Sequence, residues 1–319
     1  MVSDKEMTLV TKLAPRLFLA VFTLACLFLA GCGDDEPVKK VDLSKLEEIT
    51  MIKPPAAVTY AYLPQYAHNV SYRRHHQLVK YLAKTTGLAI RQVFPDTFDE
   101  HMNMVGRGEI DISFSNPYVY VQIASRYGTR AFARIVEGQG EINFRGQVIC
   151  RADNLQIKTP GDLKGKRLIA VDAYSAGGYL YPWAWLLEQG LRKKDFLEIV
   201  FAPGPGGKQE KVVMAVYSGK YDLGLIRERT LDILADKIDI KQIRVLAHSR
   251  WYPGWVYAAR RGLPPDILAK IKEALLSLDP KNPDQREILE KARFTGLLPA
   301  TDADYEAVRR LAEAVESRG

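Results

Sequence analysis

Cysteine is scarce in this chain, which has three among 319 residues, at positions 26, 32 and 150. A disulfide-held scaffold is therefore excluded for any body that keeps only Cys150. Long apolar runs are also missing. The uncharged stretch Leu17 to Ala30 falls short of the ~20 residues a spanning helix needs, so a multi-span membrane protein is excluded. Neither low-complexity tracts nor an internal repeat stand out, which removes disordered and solenoid classes. Metal spacing is absent as well. His75 and His76 are adjacent, and neighbours on a helix diverge by about 100° and do not share an ion. Gly204-Pro205-Gly206-Gly207-Lys208 has the wrong glycine-to-lysine spacing for a nucleotide loop, and no Ser or Thr follows the lysine. It reads as a turn before a helix. Cys150 and the histidines 68, 101 and 248 show no nucleophile–base pattern, so an enzyme is not expected, and neither is a cofactor.

What the chain does have is an ordinary globular composition, 47% hydrophobic and 26% charged. The N-terminus departs from it. Lys12 and Arg16 precede the apolar run, which exits through Leu29-Ala30-Gly31-Cys32. A basic flank, a short apolar core and a small-residue exit describe an export signal over 1–31. The exit resembles the lipobox of bacterial lipoproteins, which implies cleavage before Cys32 and lipid on that residue. The polar stretch 32–56, closing on Pro54-Pro55, reads as a tether between membrane and body. The formal net charge is +7, and the signal holds three basic against two acidic groups, so +6 remains for the mature protein. That excess favours an anionic ligand or a lipid surface, and with no nucleic-acid motif present, nucleic acid is not expected.

From Ala57 onward strand and helix patterns alternate, which predicts mostly parallel sheets flanked by helices. Strands are expected at Val58–Leu63, Leu88–Phe94 and Ile110–Phe114, with helices at Tyr72–Thr86, Phe98–Arg107 and Pro117–Tyr127. A second series follows Arg145, and three helices close the chain. This gives an α/β architecture of two lobes: 57–145, then 146–250, then a return over 251–319. Two hinge crossings would leave a ligand cleft between the lobes. The basic start Arg73-Arg74-His75-His76 reads as a solvated helix turn at or near the cleft edge.

The ordered motifs carry a resemblance. Tyr62-Leu63-Pro64, Gly108-Glu109-Ile110-Asp111 running into Ser115-Asn116-Pro117, the stretch from Phe144-Arg145-Gly146-Gln147 to Gly165-Lys166-Arg167, Asp172 through Pro182, Val213 through Gly224, and Leu263-Pro264-Pro265 recur in series. Together they resemble the phosphate, phosphite and phosphonate substrate-binding proteins of ABC importers. The resemblance covers nearly all of 57–319. It implies a two-lobed periplasmic-binding-protein fold of type II and delivery of a small anion to permease and ATPase subunits. A monomer, exported and held to the membrane by lipid, is expected.

Site residues follow on the same terms. Ser175-Ala176-Gly177 matches the anion loop, where amides at a helix start would meet an oxyanion. Ser115 and Asn116 open a facing helix in the other lobe, and Tyr62 closes the first strand. Departures matter too. Ser175-Ala176-Gly177 stands where the family offers Ser-Thr-Ser, and Ser115 where tyrosine is common. Arg227, followed by Glu228, stands where aminophosphonate binders place acceptors. An arginine there favours a plain oxyanion over an ammonium-bearing ligand. Two alternatives stay open: a tethered sensory or scavenging module on the same fold, and an enzyme built on it.

Overall fold

The computed structural model describes residues 57–318; the signal, Cys32 and the tether lie outside them. β1 (Val58–Tyr62), β2 (Ile90–Val93), β3 (Ile112–Ser115) and β4 (Arg130–Val136) alternate with α1 (His68–Thr86), α2 (Phe98–Gly106) and α3 (Pro117–Tyr127). Two short strands of the connection follow, β5 (Asn143–Phe144) and then β6 (Gly146–Arg151), which enters a second sheet with β7 (Arg167–Ala170). A π-helical turn over Ala176–Leu180 leads into α4 (Tyr181–Glu188), then β8 (Glu198–Phe201), α5 (Lys208–Tyr217), β9 (Leu223–Arg227), α6 (Thr230–Leu234) and β10 (Ile243–His248). The chain returns through β11 (Tyr252–Pro253) and β12 (Val256–Ala259), and ends with α7 (Pro265–Leu276), α8 (Pro283–Ala292), β13 (Gly296–Pro299) and α9 (Glu306–Arg318).

One sheet runs β13-β4-β12-β3-β1-β2, and the other β10-β6-β9-β7-β8. This is a two-lobed α/β fold. Paired β5 and β11 form a small ribbon where the chain crosses between the sheets. The sheets are mixed, which corrects the expectation of mostly parallel ones. β1 is parallel to β2 and β3, and β7 to β8 and β9. β12 and β13 join the first sheet antiparallel, as do β6 and β10 the second. The strands that follow each crossing, β6 and β12, insert between strands of their sheets and run against both neighbours. β4 and β13 lie beyond the sequence reading, β13 because its Gly and Pro ends carry a weak strand signal.

The sequence shows no repeat, yet the two lobes share one device. Each has a helix ending in a left-handed glycine, Gly108 or Gly219, followed three residues later by an aspartate that opens a strand. Asp111 accepts from the Thr59 amide and hydroxyl (2.8 and 2.9 Å) and from Arg260 Nε (2.6 Å), which ties β1 and the end of β12 to β3. Asp222 accepts from the Arg167 amide at 2.8 Å and from its guanidinium, tying β7 to β9. Burial pushes the Asp222 carboxyl up, but the Arg167 amide and guanidinium outweigh it and hold it below the usual carboxylate range. These ties fix the N-terminal ends of β1, β3, β7 and β9, and so the register of strands whose opposite ends carry the site.

The first core gathers Tyr60, Leu78, Leu82, Met102, Phe114 and Tyr257. α1 begins at His68, four residues before the expected start, with no side-chain cap to mark it. Its buried face is Ser71, His75, Leu78, Val79 and Leu82, the i, i+4 spacing of a helix stripe. His75 is therefore core. Among the described residues no helix is long and apolar enough to cross a membrane.

Candidate functional site

The carboxyl ends of β1, β3 and β9 face a cavity of about 800 Å³. This is where ligands of open α/β sheets bind. One wall is aromatic and belongs to the first lobe. Tyr62, the last residue of β1, stacks on Trp255 with ring centroids 5.5 Å apart. Trp255 packs on Phe114 at 5.1 Å, and Phe114 on Phe294 at 5.3 Å. Beside them Arg74 of α1 lays its guanidinium over the Tyr66 ring, 3.9 Å from the centroid. Gln65 Nε2 donates to the Tyr66 hydroxyl at 3.1 Å.

The opposite wall comes from the segment after β9. Arg227 donates to the Glu137 carboxylate and lies 4.7 Å over the Phe144 ring. Its amide donates to Gln209 Oε1 at 2.9 Å, which fixes the end of β9. Glu228 accepts from Arg145 at 2.7 Å, and Arg229 pairs with Glu141 at 3.0 Å. Exposed Asp232, Asp236, Glu290 and Arg293 form the rim.

Electrostatics separate the two inner arginines. Burial works against the Arg227 charge, but Glu137 more than offsets it, so the guanidinium stays charged and paired. Arg74 also suffers burial, and what supports its charge is the pair of phenols of Tyr66 and Tyr62. Among the described residues no carboxylate lies within ion-pair reach of Arg74. Burial, then Tyr66, pushes the Tyr62 hydroxyl well above the usual phenol range, so it remains a neutral donor. The inner wall thus carries one cation in excess.

Of the residues singled out from sequence, Tyr62, Arg227 and Glu228 line the cavity. The others are brought together elsewhere. Asn116 caps α3 through its side-chain oxygen, and its Nδ2 donates to the Tyr174 carbonyl in the other lobe at 3.2 Å. Ser115 is buried beside it with an unpartnered hydroxyl. Ser175 accepts from the Gly178 amide at 3.1 Å, and Ala176 is fully buried. A Cβ on Gly177 would meet Phe144 at 2.7 Å and the Arg227 stem at 3.1 Å. The two helix starts do face each other, but their meeting surface is closed protein, with Phe144 and Arg227 packed against the loop. Lys208 is engaged too, with its ammonium 2.6 Å from Asp172.

Tyr66, Gln65, Glu137, Trp255 and Phe294 were not singled out from the residues alone, and Arg74 reads there only as part of a solvated basic helix start at or near the cleft edge. For Arg74 a signal existed: it precedes the buried His75 by one position, which turns it about 100° from the apolar stripe. No sequence signal marks Glu137. Among the described residues no cluster of His, Cys, Asp and Glu could hold a metal ion.

Known proteins are similar to this chain in sequence and in fold. The chain is 26% identical over 319 residues to the phosphate-import protein PhnD of Mycolicibacterium smegmatis, covering 95% of this chain and 96% of that one. It is 27% identical over 255 residues to the tetrathionate sensor histidine kinase TtrS of Salmonella typhimurium, which is 75% of this chain but only 41% of the kinase. In fold it is similar to PhnD1 of Prochlorococcus marinus in complex with methylphosphonate, with a TM-score of 0.71, 15% identity and coverage of 82% and 98% of the two chains. The family profile described as ABC transporter, phosphonate, periplasmic substrate-binding protein matches residues 60–305. The chain belongs to that family, the substrate-binding components of phosphonate and phosphate ABC importers.

Proposed function

We propose that this chain is the lipid-anchored receptor of its importer and binds a tetrahedral oxyanion of the phosphate, phosphite or phosphonate class between its lobes. The observation that carries the reading is Arg74. A guanidinium held flat over Tyr66, beside the neutral Tyr62 hydroxyl and without a carboxylate, is a cation left for a ligand. Arg227 adds its remaining N–H donors from the other lobe, and Glu228 fixes Arg145 behind it. Ser115, Asn116, Ser175, Ala176 and Gly177 serve as the contact on which the lobes shut. The lobes divide at 145/146 and 250/251. The reading against ammonium-bearing ligands rested on a free Arg227, and its pairing with Glu137 removes that support.

The anchor is Cys32, outside the described residues. Cys32→Ala should abolish lipid labelling and leave the precursor unprocessed; labelling at the wild-type level would retire it. The site is tested by calorimetric titration of phosphate, phosphite and methylphosphonate into wild type and Arg74→Gln. A charge-assisted hydrogen bond contributes about 1.5–3 kcal/mol, so the variant should bind roughly ten- to a hundredfold more weakly. Equal affinities would remove Arg74 from the site. The likeness to a sensor kinase supports a second reading, in which the same closure feeds a signal instead of a permease. Uptake of the bound anion lost on deleting the chain's gene would decide for transport.

A further inference from the structure

From the cavity's size and lining we infer that the ligand is an organic phosphorus anion, R–PO₃, whose substituent is bulky and apolar, and not a bare oxyanion. This inference rests on the oxyanion reading above and narrows it.

Volume is the first ground. About 800 Å³ corresponds to on the order of twenty-five waters at ~30 Å³ each, and falls in the ~300–1,000 Å³ range of pockets for drug-sized molecules. An oxyanion of five heavy atoms would fill a small part of it. The lobes are nevertheless in contact. Gly207 donates its amide to the Gln65 carbonyl across the lobes at 3.0 Å. Gly206 lies so near the first lobe that a Cβ on it would sit 2.6 Å from the Ala67 amide nitrogen. The space is present with the lobes in contact.

Lining is the second ground. Fixed charges on the inner wall are spent on each other, Arg227 with Glu137 and Glu228 with Arg145, which leaves Arg74 for one anionic head. The remaining inner surface includes Tyr62, Phe114, Trp255, Phe294 and Ile135 from the first lobe. Ile233 of α6, 46% exposed, lines the same cavity from the second lobe. An exposed isoleucine side chain offers water none of the two to four polar partners it needs, while Gln65, Gln209 and Thr230 supply the polar part of the same lining. A flat apolar substituent would cover both surfaces.

The probes are inorganic phosphate, methylphosphonate, phenylphosphonate and phenyl phosphate, titrated calorimetrically into wild type, Arg74→Gln and Ile233→Asn. Both phenyl compounds should bind at least tenfold tighter than phosphate. Ile233→Asn should weaken them three- to tenfold and leave phosphate within twofold. A preference between the two phenyl arms tells phosphonate from phosphate ester. Phosphate binding as tightly as the phenyl compounds, with the loss still seen in Arg74→Gln, overturns this inference and leaves the oxyanion reading standing. An equal effect of Ile233→Asn on all four probes overturns it too. Binding of none of them removes the oxyanion reading and this inference with it.

Discussion

Single residues decide how charge is distributed around the site. On α1, Arg73 points to solvent, Arg74 to the cavity and His75 to the core, because each step along a helix turns the side chain by about 100°. His75 pays for its place in pKa. Burial first, and then the Arg74 charge, lowers it from the ordinary 6.5 to about 3. His101, whose Nε2 lies 2.7 Å from Ser113 Oγ, is lowered to about 3 by burial alone. Both stay neutral in the folded protein through mild acid, while the unfolded chain takes up protons below pH 6.5. The stability they contribute is full above that value and falls as the pH drops toward 3. The slope should approach about 1.4 kcal/mol per pH unit for each histidine. Urea unfolding between pH 7 and 5 should show it, and His75→Gln should flatten it by about half. A stability independent of pH over that range would refute the buried, neutral state of both.

At the scale of elements, the paired aspartate ties explain why strand ends hold their positions without disulfides. Asp111 is buried and bridges three partners, with Arg260 at 2.6 Å, whereas Asp222 and Arg167 are partly solvated. Removing one partner of a buried pair leaves the other charge uncompensated, while a solvated pair is screened. Asp111→Ala should therefore cost about 3 kcal/mol, and Asp222→Ala less than half of that. Equilibrium urea denaturation of both variants tests the order, and the reverse order would show that the tie in the second lobe is the stronger one. Much of this level was legible in advance. α3 has the bounds that Pro117 and the following glycine predict, and β6, β7 and β9 fall within a residue of their apolar runs. α1 started early because Ala67 provides no cap hydrogen bond, and β13 was hidden by its glycine and proline.

For the whole molecule, the contacts between the two lobes bear on the proposed closure around a ligand. Glu137 follows the last residue of β4 in the first sheet, and Arg227 ends β9 in the second, so their pairing spans the cleft. Gly207 on Gln65 and Asn116 on Tyr174 add contacts between the lobes. A ligand can shift such an equilibrium only by its preference for the closed form. Small-angle scattering should give a smaller radius of gyration with saturating phenylphosphonate than without it. Glu137→Gln should enlarge the radius of the ligand-free protein toward an open form. Identical profiles for all three samples would argue against hinge closure.

The sequence by itself determined the periodic elements, the two α/β series with a chain that crosses between them, and the motif order that marks the family. Through the resemblance its motifs carry, it also pointed to three residues that line the cavity, Tyr62, Arg227 and Glu228. Only the tertiary structure decided what those residues meet. Arg227 lies 90 positions from Glu137, and no local rule predicts that the two charges cancel. The same holds for the loop Ser175–Gly178, which the resemblance marks as an anion loop but whose Gly177 is packed against Phe144 and Arg227. Arg74 became the unpaired cation only through where α1 lies against β1 and across from β9. Periodicity fixes which way a side chain points along its own element; the packing of distant elements fixes whether a partner is there to receive it.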